Sequence, residues 1–261
     1  IHNYWLRAYN LEGHYGVVPV RSEDLPGFVR SLTDRGYAGC NVTIPHKEAV
    51  FALVENRDAK AARLGAVNTL YTVDGTLHAT NTDGEGFIAS LKTTVPNVQI
   101  ANQRVAILGA GGSAMAIAGA LTDEAAGEIA VFNRSIERSE ALRRRFGHHL
   151  KSHQWSERNT GLNECTLLIN TTSLGMTGQP PLDIDLATLP ASATVADIIY
   201  APLVTPLLQQ ARDRGHSAVS GLGMLLHQAV RGFELWFGTR PVVTDELYDI
   251  VARDIDPGYT R

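Results

Sequence analysis

A glycine-rich turn, Gly109-Ala110-Gly111-Gly112-Ser113-Ala114, has the residue types and the spacing of a loop that binds phosphate groups. Glycines allow the backbone to turn sharply and to approach a pyrophosphate closely, and the first N–H groups of a following helix attract the anion. An apolar run (104–108) precedes the turn, and a run of small residues that favours a helix (115–121) comes after it. This order predicts a dinucleotide-binding unit, and a tight turn that binds nothing is the alternative.

The residues after the next apolar strand indicate which dinucleotide would bind. An NAD-binding unit usually carries a carboxylate at this strand end, where it binds the ribose 2′-hydroxyl. Here Asn133-Arg134-Ser135 stands at that position, and Arg138 lies about one helical turn further on. Since a guanidinium forms paired, charge-assisted hydrogen bonds with a phosphate, we predict NADP rather than NAD. The alternative is that both arginines are solvated charges at the start of a helix.

Lys47 is expected in the first turn of a helix that begins near Pro45. The positive end of the helix dipole disfavours a cation there, so the placement indicates function more than solubility. An ammonium group in a protected site can donate a proton to an oxygen or polarise it. An ordinary surface lysine is the alternative.

A β-hairpin is predicted to bring the carboxylate of Asp83 beside the carboxamide of Asn68. The dipeptide Asp74-Gly75 is a strong signal for a two-residue turn between two strands. In that register Asn68 pairs with Asn81, so Asp83 lies diagonally across on the same face, within roughly 7–8 Å. A shift of one residue would separate the two groups, and a plain turn or helix cap at Asp83 is the alternative.

The elements that must position these groups have an α/β order. We predict a short strand at Val17–Val20, a helix that Ser22 caps, a short helix from Asp58 to Gly65, and a polar domain connection between Thr93 and Gln103. Each of the two helices begins at a residue type that caps helices well.

The second half of the chain adds two apolar runs, 165–170 and 193–199, which are predicted as buried parallel strands. Ligands of open α/β sheets gather at the carboxyl ends of strands, so the polar residues after these runs are expected near the cofactor, unless they belong to ordinary loops. A long helix is predicted from Ser220 to about Phe237. Gln228 lies on its apolar face and needs a polar partner, for which a ligand hydroxyl is one candidate.

The composition of the 261 residues is that of an ordinary globular enzyme, with 44% hydrophobic and 19% charged residues. A net charge of -4 argues against a partner such as nucleic acid or an anionic membrane. No run is long and apolar enough to span a bilayer. The two cysteines are far apart, which predicts neither a disulfide framework nor a metal site and suits a cytoplasmic protein.

Six motifs occur in one order and together resemble the shikimate dehydrogenase family over nearly the whole chain. The pattern Asn-Val-Thr-x-Pro-x-Lys, combined with Asn-Thr-Asp-Gly, is highly specific and argues against a surface lysine and a plain turn. The motifs are residues 41–47, 65–69, 81–84, 109–112, 133–135 and 221–224.

The resemblance implies an NADP-linked reduction of 3-dehydroshikimate to shikimate in aromatic amino-acid biosynthesis. It implies two α/β domains around a cleft: a substrate domain at residues 1–86, completed by 223–261, and a Rossmann-like NADP-binding domain at 87–222. Lys47 and Asp83 would form the catalytic pair. The implied substrate-binding residues are Thr43, Lys47, Asn68, Asp83, Tyr200 and Gln228. The implied cofactor-binding residues are Gly109, Ala110, Gly111, Gly112, Ser113, Ala114, Asn133, Arg134, Ser135, Arg138, Ile198 and Gly221.

Two departures from the family pattern are visible. Family members usually begin with a strand and a Ser-x-Ser segment that holds the substrate carboxylate, and Ile1-His2 matches the family residues that come directly after that segment. A protein of only these 261 residues is therefore expected to lack the carboxylate clamp and to be weak or inactive. An acidic residue that the family often carries near the position of Ala59 is also absent, so no cofactor role is assigned there.

Three rival functions stay open at this point. A quinate/shikimate dehydrogenase that uses NAD would share the fold and the catalytic pair, but Asn133-Arg134 argues against it. A non-catalytic, ligand-binding regulator on the same fold is the rival from another class, and the retained Lys47 and Asp83 argue against it. A one-carbon folate dehydrogenase is the third. The oligomeric state is expected to be a monomer or a homodimer.

Overall fold

The structure, a computed structural model, describes residues 1–260 and divides into two compact units. The first unit joins Ile1–Asp83 to Gln228–Leu247, and the second joins Gly84–His227 to Tyr248–Arg261. No helix in the described part of the chain has the length and the apolar character that crossing a membrane requires.

The first unit is built on a four-stranded mixed sheet. Its strands are β1 (Gly39–Asn41), β2 (Asn56–Arg57), β3 (Thr69–Val73) and β4 (Thr76–Thr80). The order is β1-β3-β4-β2, with β3 antiparallel to both β1 and β4, and β2 parallel to β4. The helices of this part of the chain are α1 (His2–Ala8), α2 (Leu25–Arg30), α3 (Lys47–Leu53) and α4 (Ala59–Leu64).

The β3–β4 hairpin has the predicted turn and the predicted register. Asp74 and Gly75 have φ values of 48° and 77°, as a two-residue turn of the favoured hand requires. Val73 pairs with Thr76, and Thr69 pairs with Thr80. The predicted helix after Asp58 is also confirmed, because the Asp58 carboxylate accepts a hydrogen bond from the N–H of Ala61 at the start of α4.

The prediction of a strand at Val17–Val20 is wrong. Val17 is 93% exposed, and the carbonyl of Val20 contacts the Nε2 atom of His46 at 2.9 Å instead of a strand. β-branched residues favour an extended backbone, but a strand also needs a neighbouring strand to pair with. The neighbouring strand β1 is also short: it ends at Asn41, and Ile44, three residues further on, is 80% exposed.

The second unit is built on a six-stranded parallel sheet. Its strands are β5 (Arg104–Leu108), β6 (Glu128–Asn133), β7 (Leu150–Gln154), β8 (Cys165–Asn170), β9 (Thr194–Asp197) and β10 (Ser217–Val219). They lie in the order β10-β9-β8-β5-β6-β7, and all neighbours are parallel. This is the strand order of a doubly wound dinucleotide-binding sheet, in which the order reverses between the first strand, β5, and the fourth, β8.

Helix α5 (Asp83–Thr94) precedes this sheet in the chain. Three helices connect strands within it: α6 (Gly112–Asp123), α7 (Ile136–Phe146) and α8 (Pro206–Asp213). Helices α9 (Gly221–Phe237) and α10 (Asp245–Ile255) come after its last strand. The central strands are buried on both faces, which explains why they read as continuous apolar runs. A separate apolar core around Val50, Val67 and Leu70 supports the sheet of the first unit.

Candidate active site

The centre of the candidate site in the first unit is an ion pair between Lys47 and Asp83. The Nζ atom of Lys47 donates to the Oδ2 atom of Asp83 over 2.6 Å. Lys47 is the first residue of α3, as predicted, and Asp83 follows β4 as the first residue of α5. The carboxylate compensates the unfavourable position of a cation at a helix start. The two side chains remain 25% and 12% exposed, so a ligand can reach the ammonium group.

Asn68 holds the other oxygen of the same carboxylate. Its Nδ2 atom donates to the Oδ1 atom of Asp83 over 2.8 Å, which confirms the predicted closeness of carboxamide and carboxylate. The orientation of the Asn68 amide is fixed, because its Oδ1 atom accepts the backbone N–H of Thr82 over 2.9 Å and a backbone N–H can only donate. Nδ2 must therefore face Asp83.

The segment that carries Asp83 is tied down on both sides. Asn81 donates through Nδ2 to the carbonyl of Ala66 and accepts the backbone N–H of Asp83 through Oδ1. The hydroxyl of Thr82 donates to the carbonyl of Gln228 over 2.8 Å. Asp83 is thus held by backbone anchors as well as by its own side-chain bonds.

The other predicted substrate residues lie at different distances from this pair. The Oε1 atom of Gln228 is 3.5 Å from both the Nδ2 atom of Asn68 and the hydroxyl of Thr82, so Gln228 joins the network. Thr43 lies on the exposed segment between β1 and α3, and its carbonyl accepts the N–H of His46. Tyr200 belongs to the second unit, where it is 42% exposed.

This arrangement supports proton donation to a ligand oxygen. An ammonium group carries three protons, and the Oδ2 atom of Asp83 takes one of those on Lys47. The remaining protons can serve a carbonyl or hydroxyl oxygen that enters the exposed side. The carboxylate keeps the ammonium group in place and can itself accept a hydrogen bond from a ligand hydroxyl. No cluster of three or more metal-ligating side chains occurs within residues 1–260.

The glycine turn of the second unit lies between β5 and α6 and has the geometry that an anion site needs. Gly109 has a φ of 102°, and a Cβ at this position would lie 2.8 Å from the hydroxyl oxygen of Thr171. Gly111 precedes α6 without a side-chain cap, and Gly112, Ser113 and Ala114 form the first turn. The N–H groups at the start of this 12-residue helix therefore have no side-chain acceptor.

The space next to the turn fits a phosphate group. A Cβ built on Gly111 or on Gly112, at the start of α6, would meet no other atom within 4 Å, and both residues are exposed. A bound pyrophosphate could approach the backbone there, close to the positive end of the helix. Ala110 completes the loop and is half-buried.

The predicted cofactor residues at the end of β6 lie together. Asn133 ends the strand, and its Nδ2 atom donates to the carbonyl of Ser135 over 2.7 Å. Arg134 and Arg138 are both exposed, so their guanidinium groups are accessible to a phosphate. The hydroxyl of Ser135 donates to the carboxylate of Glu137 over 2.6 Å.

Ile198 and Gly221, both predicted to line the cofactor, are in direct contact. A Cβ on Gly221 would overlap the carbonyl oxygen of Ile198, so only glycine allows the start of α9 to lie this close to the end of β9. The buried Asp197 fixes this strand end: its Oδ1 accepts the N–H of Ile199, and its Oδ2 accepts the hydroxyl of Thr205. Burial raises the pKa of Asp197.

The sequence analysis missed several residues that form hydrogen bonds around the predicted site residues. In the second unit, Asn170 donates to Asp197 over 3.1 Å. In the first unit, Asn41 and Thr69 both donate hydrogen bonds to Asn68. Asn41 belongs to one of the six motifs, which is the signal that could have drawn attention to it. Thr69 follows Asn68 as the first residue of β3, and it too belongs to one of the six motifs, residues 65–69.

Comparison with known protein families gives three matches along the chain. A shikimate dehydrogenase substrate-binding domain matches residues 1–70. A shikimate/quinate 5-dehydrogenase family matches residues 90–176, and a shikimate 5′-dehydrogenase C-terminal domain matches residues 221–243. The three matches are collinear with the motifs described above.

Individual relatives agree with these families. A protein from Rhodopseudomonas palustris (strain TIE-1) named shikimate dehydrogenase (NADP(+)) is 50% identical over 257 residues, which cover 98% of this chain and 92% of the relative. The structure of a Thermus thermophilus shikimate 5-dehydrogenase in complex with NADP(H) and shikimate matches with a TM-score of 0.84 and 32% identity, over 97% of this chain and 92% of the other.

A quinate dehydrogenase from Corynebacterium glutamicum in complex with NAD also matches, with a TM-score of 0.87 and 27% identity, over 96% of this chain and 92% of the other. The fold alone therefore does not separate the two substrates or the two cofactors. The identity to the Rhodopseudomonas protein and the three family matches settle the family, and this chain belongs to the shikimate dehydrogenase family.

Proposed function

We propose that this protein is an NADP-dependent shikimate dehydrogenase, which reduces 3-dehydroshikimate to shikimate in aromatic amino-acid biosynthesis. The observation that carries the proposal is the 2.6 Å pair of Lys47 and Asp83, which stays partly exposed, in a chain that is 50% identical to a relative of that name. Reduction of a ketone needs a proton donor beside the oxygen, and Lys47 is suited to that task.

Two side chains of the first unit, Lys47 and Asp83, have different roles in the reaction. A bound NADPH supplies the hydride. Lys47 gives a proton to the ketone oxygen, which has gained the electron pair of the former π bond, and so forms the hydroxyl of the product. Asp83 orients the ammonium group and accepts a hydrogen bond from a ring hydroxyl. The further contacts to substrate hydroxyls are assigned to Thr43, Asn68 and Gln228, and to Tyr200 from the second unit.

A polar site of this kind also explains selectivity for a polyhydroxylated ring. A site built to hydrogen-bond a hydroxyl rejects an analogue without it by about 10⁴–10⁵-fold, because its own buried polar groups would then be unpaired. Asn68 is buried and hydrogen-bonded on both sides, so its position is fixed before a ligand arrives.

The residues of the second unit are assigned to the cofactor. The open space at Gly111 and Gly112 supports a pyrophosphate position, and the exposed Arg134 and Arg138 support a 2′-phosphate position. Asn133 and Ser135 complete the second position, and Ile198 and Gly221 line the remainder of the cofactor.

We also propose how the chain divides into a substrate domain and a cofactor domain. Residues 1–86 with 223–261 would hold the substrate, and residues 87–222 would hold NADP. We further propose a cytoplasmic enzyme that acts as a monomer or homodimer. The free thiols of Cys40 and Cys165 support a reducing compartment.

The test is a spectrophotometric assay of the natural full-length protein at about 340 nm, where reduced nicotinamide absorbs, with shikimate or quinate and NADP⁺ or NAD⁺. We expect rapid formation of NADPH with shikimate and much slower reactions in the other three combinations. Equal or faster turnover with quinate or with NAD⁺ would overturn the substrate or the cofactor assignment. Binding of shikimate and NADP⁺ without turnover in any combination would identify a regulator.

A further inference from the structure

Asn68 is held by a set of buried hydrogen bonds that continue away from Asp83. Besides the N–H of Thr82, the Oδ1 atom of Asn68 accepts the hydroxyl of Thr69 over 2.9 Å. Thr69 is fully buried and Asn68 is 2% exposed. Water therefore has little access to compete for these bonds, and the partner on the far side of Thr69 decides where the hydroxyl proton points.

That partner is Asn41 at the end of β1. Its Nδ2 atom lies 3.4 Å from the hydroxyl oxygen of Thr69 and donates to it. Because this oxygen accepts from Asn41, the Thr69 proton is directed at Asn68. The Nδ2 atom of Asn41 also donates to the backbone carbonyl of Asn68 at 3.4 Å, so the two asparagines are linked twice.

The orientation of Asn41 is determined in turn by two donors. The hydroxyl of Tyr15 donates to the Oδ1 atom of Asn41 over 2.8 Å, and burial raises the pKa of Tyr15 to about 12, so this proton is retained at neutral pH. The Nε2 atom of His2 lies 3.2 Å from the same oxygen. Burial lowers the pKa of His2 to about 4, so the ring is neutral, and it donates through Nε2 to an oxygen that can only accept.

The bonds all run in one direction. Tyr15 donates to Asn41, Asn41 to Thr69 and Thr69 to Asn68. Asn68 finally donates to the carboxylate that holds Lys47. Hydrogen bonds aligned in this way polarise and strengthen one another in a medium of low dielectric constant.

We infer that Thr69 is a positioning residue of the dehydrogenase reaction: its hydroxyl, directed by Asn41, is a second donor to the Asn68 oxygen that the N–H of Thr82 already orients, and it holds the amide at the place from which it donates to Asp83 and keeps the Lys47–Asp83 pair in its working geometry. This inference rests on the proposed function, since it concerns the same pair. It assigns to the hydroxyl an effect on turnover that the mere volume of the side chain would not have.

The test compares Thr69→Val with Thr69→Ser. Valine keeps the shape of threonine and lacks the hydroxyl, whereas serine keeps the hydroxyl and lacks the methyl group. We expect kcat for shikimate oxidation to fall about tenfold in Thr69→Val and to stay within about twofold of the wild type in Thr69→Ser. The Kd for shikimate should change less than kcat in both variants.

Thr72→Val is the matched control, because Thr72 lies on the same strand and its buried hydroxyl oxygen has no hydrogen-bond partner within residues 1–260. This variant should keep the wild-type kcat. The inference is overturned if Thr69→Val keeps its kcat, if Thr69→Ser loses as much as Thr69→Val, or if Thr72→Val loses as much as either. Should Thr69→Val fail to fold, Thr69→Ser decides, since a tenfold loss there contradicts a role for the hydroxyl.

A second readout separates this inference from the proposed function. Both protons on Nδ2 of Asn68 are used, one by Asp83 at 2.8 Å and one by the hydroxyl of Thr82 at 3.0 Å. In a ¹⁵N spectrum the side-chain amide of Asn68 should exchange slowly with water in the wild type and faster, with shifted resonances, in Thr69→Val. An unchanged signal contradicts the inference alone, whereas an inactive wild type with slow exchange contradicts the proposed function alone.

Discussion

The two regions to which we assign a function differ in what they are made of: one consists of side chains and the other of backbone. The region around Lys47 and Asp83 consists of side chains that hold one another through hydrogen bonds of 2.6 to 2.9 Å. The region around the glycine turn consists of backbone, with Gly109 at a positive φ and Gly111 facing open space. We therefore expect the first region to lose function when atoms are removed and the second to lose function when atoms are added.

The largest effect is expected for Lys47→Ala, which removes the proposed proton donor. Turnover should fall about 10²- to 10⁴-fold, the usual contribution of an oriented acid or base. Steady-state formation of NADPH measures it, with the exposed Lys151→Ala as the control. If Lys47→Ala retains near-normal turnover, Lys47 has no part in proton transfer.

A smaller effect is expected for Gly111→Val, which fills the space assigned to the pyrophosphate. The Kd for NADP⁺ should rise about 10- to 100-fold, or 1.4 to 2.8 kcal/mol. The melting temperature should change little, because a Cβ at this exposed position meets no other atom within 4 Å. Gly27→Val is the control, since a Cβ on Gly27 in α2 also meets nothing. Unchanged NADP⁺ binding in Gly111→Val would contradict the assignment of the turn.

Gly109→Ala should act on stability instead. The new Cβ would lie 2.8 Å from the Thr171 hydroxyl, and the φ of 102° is strained for any L side chain. We expect a loss of about 1–3 kcal/mol in the free energy of unfolding. Urea denaturation measures the loss, and a variant as stable as the wild type would show that the turn tolerates a side chain.

The smallest effect is expected for Asp197→Asn, and it depends on pH. The pKa of Asp197 is raised in the folded state by burial, whereas an Asp in an unfolded chain has a pKa near about 3.9. Above the unfolded pKa, the wild type therefore carries a cost for its buried charge, and this cost grows until the folded carboxyl is ionised too. The stability of Asp197→Asn relative to the wild type should rise between pH 4 and pH 7.5, as urea denaturation can show. A difference that is constant across this range would contradict the raised pKa.

The sequence predicts those parts of the fold that local chemistry determines. The Asp74-Gly75 turn sets the hairpin register, and the glycine turn identifies the β5–α6 unit, because few other structures suit such residues. The strand predicted at Val17–Val20 fails because pairing with a neighbour is a property of the whole sheet.

The same distinction between local chemistry and the arrangement of the whole sheet applies to the candidate site. Lys47 and Asp83 are identified by their motifs and by their unusual positions at helix starts. Asn41 and Thr69 also lie within two of the motifs, but their contribution depends on β1 and β3 lying side by side, with Asn41 paired to Thr69. Spacing along the chain gives no sign of the hydrogen bonds that they form between these strands.

The separate roles of the two regions are tested most directly by calorimetric titrations of two variants. Lys47→Ala should bind NADP⁺ like the wild type although it has lost turnover, and Gly111→Val should bind shikimate like the wild type although it binds NADP⁺ weakly. This result would assign the chemistry to one region and the cofactor to the other. If Lys47→Ala loses NADP⁺ binding, or Gly111→Val loses shikimate binding to the same degree as NADP⁺ binding, the two regions do not have separate roles.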